Sequence, residues 1–228
     1  MKKSSFLFLI ALIAISLTSF AQKTFIGTIS YSVECSGEEL DAQTKAQLPT
    51  DMIITTNGLK TRSEQIAPMF TMAQVFDHKT GAGIILIDIM GQKIAAEMSK
   101  EYFDETKEKA GLNATEEPTI NYIDETKTIA GYKCKKAEVV NNDGETMEVY
   151  YTEDIILSDE TKDKLITGMK GLKGIPMEYT MTSQGISMKF KVKEVLAKKP
   201  KSGLFVIDDD YQKMTMEEFL QMMGGGVE

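Results

Sequence analysis

The chain has almost nothing with which to do metal or nucleophilic chemistry. Its 228 residues include one histidine, His78, and two cysteines, Cys35 and Cys134. A zinc site needs several His or Cys ligands, and a dithiol redox centre needs a Cys-x-x-Cys pair. A serine nucleophile needs a base and a strained turn that the sequence does not supply. His78 follows Phe76-Asp77 and precedes Lys79-Thr80-Gly81, which predicts an exposed residue at a hairpin turn. No catalytic residue, metal ligand or cofactor is expected. Positive charge is also short: 26 Lys and Arg stand against 34 Asp and Glu, a net charge of −8. Such a surface repels nucleic acids and anionic lipid headgroups, and the lysines lie scattered among acids instead of forming one basic face. No apolar run reaches the roughly 20 residues that span a bilayer, so no membrane span is expected.

What is present begins with an address. Lys2 and Lys3 precede an apolar run from Phe6 to Ile15, and Ser19-Phe20-Ala21 offers small residues around a cut before Gln22. This is the pattern of a secretory signal peptide. Residues 1–21 are expected to be removed and residues 22–228 to form one exported domain, periplasmic or secreted, long enough for a sizeable core. Oligomeric state cannot be read from the sequence.

The mature region has period two. Phe25, Gly27, Ile29, Tyr31, Val33 and Cys35 alternate with polar residues, as in a strand with one buried face. Further strands are expected near 51–57, 60–67, 69–77, 84–90, 93–98, 119–124, 132–140, 145–152, 176–183 and 186–195. Asn57-Gly58, Lys79-Thr80-Gly81, Gly91-Gln92, Asn142-Asp143-Gly144 and Gln184-Gly185 supply tight turns between them. Connections this short force antiparallel neighbours. Helices are expected over 37–48, over 99–109 with Ser99 as N-cap, over 158–169, and at the C terminus. There Thr215 caps a stripe of Met216, Phe219, Leu220 and Met223, ended by Gly224–Gly226. The fold class is mainly β (α+β), a curved antiparallel half-barrel with helices over its open side.

Several strings carry a resemblance. Ile129-Ala-Gly-Tyr-Lys-Cys-Lys-Lys-Ala137, Val149-Tyr-Tyr-Thr-Glu153, Gly171-Leu-Lys-Gly-Ile-Pro176 and Thr215-Met-Glu-Glu-Phe219 resemble an exported Bacteroidetes family, the domain of unknown function 4412. The chain is also similar to the GLPGLI proteins, though with Lys173 in place of their proline, and remotely to the LolA-like superfamily. That resemblance implies an incomplete β-barrel whose mouth is plugged by helices over an apolar cavity. In lipoprotein carriers of the superfamily, the cavity holds acyl chains.

Other residues offer weaker chemistry. Two cysteines in an oxidising compartment suggest a Cys35–Cys134 disulfide, worth roughly 4 to 5 kcal/mol on a loop-entropy argument. Two separate thiols are the alternative. Asp208-Asp209-Asp210 is a solvated turn before it is a calcium site. Methionine is frequent, with 15 residues: core packing, an adaptable apolar surface and Cu(I) ligation are its readings, in that order.

The expected function is binding of an apolar ligand, a lipid or acylated polypeptide such as a lipoprotein, in the hollow of the half-barrel. The expected lining is Ile29, Tyr31, Ile85, Ile87, Ile89, Met177, Tyr179, Met181, Phe190 and Val192. Met216, Phe219, Leu220 and Met223 form the lid. The competing reading is an envelope interaction module whose barrel is filled by its own side chains. An enzyme using paired carboxylates stands third.

Overall fold

The computed structural model describes residues 24–37, 40–109, 117–141, 144–158, 161–162, 168–183 and 185–222. The expected signal peptide, Met223, the terminal glycines and most of the helix expected over 158–169 lie outside these residues.

Period-two segments separated by tight turns become hairpins, and here they pair into one open sheet. Its strands are β1 (Gly27–Ser36), β2 (Asp51–Thr56), β3 (Lys60–Ile66), β4 (Phe70–Asp77), β5 (Gly83–Ile89), β6 (Gln92–Met98), β7 (Thr119–Ile129), β8 (Tyr132–Val140), β9 (Thr146–Thr152), β10 (Ile175–Ser183), β11 (Ile186–Leu196) and β12 (Gln212–Met214). Their order is β12-β6-β5-β4-β3-β2-β1-β11-β10-β9-β8-β7. Two meanders, β1 to β6 and β7 to β11, are therefore joined through β1 and β11. The join brings Tyr31 opposite Val192 and Val33 opposite Phe190. Register shifts interrupt the β1/β11, β9/β10 and β7/β8 pairs, and each bulge adds local twist and bend. A sheet this wide curls, and the protein is a mainly β half-barrel.

Turn chemistry fixes the hairpins. The Asn57 side chain accepts hydrogen bonds from the backbone of Leu59 and Lys60, and Asp77 does the same for Lys79 and Thr80. The β12 strand departs from expectation: it is parallel to β6, because the chain leaves β11, crosses the sheet through a short 3-10 helix (Ser202–Phe205) and returns to the far edge. Helices are short. The helix α1 (Ala42–Gln47) covers only part of the expected 37–48 segment because it starts where Asp41 caps the Thr44 N–H. In α2 (Lys100–Lys109) Ser99 caps the Tyr102 N–H, as expected. In α3 (Met216–Met222) Thr215 and Glu218 form a reciprocal capping box. Among the described residues no helix is long and apolar enough to cross a membrane.

Candidate functional site

Strand register sorts the side chains into two faces. Ile29, Tyr31 and Val33 share a face with Ile54 on β2 and with Phe190 and Val192 on β11, and the pairing carries that face on to Tyr179, Met181, Val149 and Ala137. In the other direction it runs through Ser63 and Gln65, Met72 and Gln74, Ile85, Ile87 and Ile89, to Ile94, Ala96 and Met214. Tyr31 reaches over β11 to donate its hydroxyl to the Pro176 carbonyl at 2.9 Å, and its ring meets Tyr179 edge-on at 6.4 Å. Side chains two strands apart converge in this way on the inside of a curve, so this is the inner face.

The inner face has two halves. From β1 to β8 it is closed: Ile29, Tyr31, Met177, Tyr179, Phe190 and Val192 are buried in one cluster with Ile155, Leu157, Met169 and Leu172, which lie in the connection between β9 and β10. Tyr179 stacks on Phe190 at 4.8 Å. Burial pushes the phenols of Tyr31 and Tyr179 well above their ordinary range. These predicted lining residues are packed on one another. Met181 alone among them stands exposed, at 40 %.

From β4 to β6 the inner face is a floor with a thinner cover. Ile87, Ile94 and Ala96 are buried beneath Met216 and Phe219 of α3, while Met72, Ile85, Ile89, Met98, Met214, Leu220 and Tyr102 of α2 are half-buried around them. The predicted residues Ile85, Ile87 and Ile89 and the predicted stripe Met216, Phe219 and Leu220 thus meet in one place, apart from the Tyr31 cluster. Met72, Ile94, Ala96, Met98, Met214 and Tyr102 belong to the same floor and were missed. The turns at Asp77 to Gly83 and at Gly91 would have revealed the strand members by fixing the β4–β5–β6 register.

The outer face is polar over the second meander. Glu178, whose side chain is 12 % exposed, pairs with Lys127 at 2.7 Å and lies near Lys189 and Lys191. Burial alone would raise its carboxyl, but the Lys127 hydrogen bond and the three ammonium charges outweigh it and hold the group below its ordinary value. Over the first meander the outer face carries a small core of its own, where Phe205, Ile207 and Tyr211 pack on Ala73, Val75, Leu86 and Ala95. Two hollows of about 550 and 500 Å³ open beside it and share Glu97. Of the predicted lining residues, only Met216 touches either.

Two other expectations are corrected. Cys35 and Cys134 are free thiols. Three strands lie between β1 and β8 in the sheet, at about 4.8 Å per strand, whereas a disulfide needs Cα atoms within roughly 7 Å. His78 is half-buried instead of exposed, with Nε2 2.8 Å from Thr61 Oγ1 and 3.2 Å from Thr161 Oγ1. Asp210 pairs with Lys93 in a turn leading to β12. Among the described residues no group of three or more His, Cys, Asp or Glu is placed to hold a metal.

The strings that carried the resemblance hold the fold. Ala130 and Gly131 both have positive φ in the β7–β8 turn. At Gly174 a Cβ would fall 2.1 Å from the Thr152 carbonyl oxygen, so only glycine fits. Tyr122 donates to the Gly171 carbonyl, and Lys173 lies over the Tyr122 ring.

A profile of the family described as "N-glycanase peptide, N-terminal domain" matches residues 92–161, from β6 into the connection after β9. No curated protein matches the chain. Among solved structures, PNGF-II is similar at 17 % identity and a TM-score of 0.44, over 87 % of this chain and 33 % of that one. This chain thus spans about a third of the PNGF-II length. The lipoprotein LppX of Mycobacterium tuberculosis is similar at 8 % identity and a TM-score of 0.39, over 75 % of this chain and 86 % of that one. MucB in its complex with MucA(peri) is similar at 11 % identity and a TM-score of 0.33, over 83 % of this chain and 56 % of that one. At such scores they transfer no ligand and no activity.

Proposed function

We propose that this chain is an exported binding protein that holds an apolar ligand, a lipid or an acylated polypeptide, on the β4–β6 floor beneath α3 and α2. One observation carries the reading: the inner face is closed from β1 to β8, whereas over β4 to β6 a buried centre of Ile87, Ile94 and Ala96 is ringed by half-buried apolar residues, and a helix of seven residues is its main cover. Isolated helices of that length are marginal in water, so α3 stays in place through Met216 and Phe219 and can lift to admit a chain. Apolar burial supplies about 25 cal/mol per Å². The half-buried methionines Met72, Met98 and Met214 give the floor a surface that adapts to varied chains. The matched segment includes β6 and α2, which contribute Ile94, Ala96, Met98 and Tyr102 to this floor. We infer binding and not catalysis for this unit.

The test is to purify the full chain natively from a bacterial envelope, extract it with organic solvent and identify co-purified lipid by mass spectrometry. Ile87→Trp, which fills the floor, serves as control. Lipid present in the wild type and depleted at least severalfold in Ile87→Trp is the expected result. A clean extract, together with failure to take up the uncharged fluorophore N-phenyl-1-naphthylamine, would overturn it. That outcome would favour the second reading, suggested by the packed Tyr31 cluster, of a self-filled barrel that binds another envelope protein.

A further inference from the structure

Between the closed half of the inner face and the apolar floor lies a polar strip. Ser63 on β3 faces Gln74 on β4, and the pair is flanked by Ile54 on one side and Ile85 on the other. Gln65 stands one step along β3, opposite Met72. Ser63 and Gln65 are half-buried and Gln74 is exposed. Within the described residues, the structure gives the hydroxyl and the two amides no side-chain hydrogen bond. Polar side chains left open beside an apolar floor are unusual inside a barrel, where period-two alternation would place apolar residues.

Charge on these strands is partitioned completely. By register, no Asp, Glu, Lys or Arg of β2 to β6 or of β12 faces inward. Asp51, Lys60, Arg62, Glu64, Asp88 and Glu97 are among those on the outer face. An ionised head group drawn onto the strip would be partly desolvated with no counter-charge, at high cost. Serine and glutamine side chains each donate and accept, which matches a head bearing hydroxyl groups.

Resting on the binding reading above, we infer that the ligand is an amphiphile with an uncharged, hydroxyl-bearing head. Its acyl chain lies on the Ile85–Ile87–Ile94 floor, and its head is held by Ser63, Gln65 and Gln74.

The test is displacement of N-phenyl-1-naphthylamine by monooleoylglycerol and by oleate, which share one chain, at pH 9, where oleate is ionised. The wild type is expected to prefer monooleoylglycerol by about tenfold or more, as one or two hydrogen bonds would give. The double variant Ser63→Ala/Gln74→Leu should lose that preference, and Gln74→Lys should turn it toward oleate. Gln74 is open to solvent and Ser63 is half-buried, and circular dichroism checks the fold. Equal affinities in the wild type, or a preference that survives both variants, would overturn the head-group assignment while leaving the apolar site standing. Failure of the wild type to take up the fluorophore would overturn both.

Discussion

Tyr31 shows how one side chain couples distant strands. Its ring fills the closed half of the inner face, and its hydroxyl satisfies the Pro176 carbonyl across β11. Tyr31→Phe keeps the packing but strands a buried carbonyl, so a loss of about 1 to 2 kcal/mol is expected in urea denaturation. That Ile29 shares a face with Tyr31, and Phe190 with Val192, was legible, since each sits in a strand of regular alternation; which face points inward was not, because alternation alone carries no phase. That they pack on one another and away from Ile87 was not, because that depends on β1 joining β11, a pairing between residues about 160 apart that no local signal specifies. The same reason hid the separation of Cys35 from Cys134. Ser63, Gln65 and Gln74 went unnoticed because polar residues in a strand read as solvent-facing until register shows that they share a face with Ile54 and Ile85.

Turns and caps were the most legible elements, because their chemistry lies within four or five residues. The α3 capping box is a case: Thr215 accepts from the Glu218 N–H, and Glu218 accepts from the Thr215 N–H at 2.7 Å. Thr215→Ala removes half of it, at about 1 kcal/mol of helix stability. If α3 is the lid, the bound fluorophore should then leave several times faster in stopped-flow dilution. The β5–β6 turn carries a local conflict. Met90 has φ of 52° and is 83 % exposed, ahead of Gly91 with φ of 90°. A left-handed methionine is disfavoured, whereas Asn-Gly suits this turn. Met90→Asn is therefore expected to raise stability by about 1 kcal/mol, visible as a higher urea midpoint at unchanged slope. By contrast, β12 has three residues and pairs in parallel after a long excursion, too short and too remote from its partner for a sequence pattern to mark it.

At the scale of the whole molecule, the faces of the sheet divide the chemistry. The inner face is neutral from β11 to β12, while charge gathers outside, most densely where Glu178 meets Lys127, Lys189 and Lys191. The folded Glu178 carboxyl titrates below its unfolded value of about 4.3, so its stabilisation is full above that value and fades as pH falls through the folded pKa. Glu178→Gln should destabilise the protein at pH 7, because three ammonium groups lose their shared partner. It should also flatten the loss of stability between pH 5 and 3, which denaturant titrations across that window would measure. The half-barrel class was legible from strand number and short turns. The division of its inner face into a packed half and a thinly covered half was not, since it depends on where the connection between β9 and β10 lies.

The seam between β1 and β11 also sets an order of events in time. The strand nearest the start of the described chain finds its second neighbour only when residues 186–196 are available, so most of the polypeptide must emerge before the sheet can be completed. Pairings of such sequence separation form slowly, and until then Tyr31 and Val33 border an unpaired strand edge, open to wrong partners. A chain built this way tolerates truncation at its far end poorly: loss of β11 would leave two meanders with no seam and no shared core.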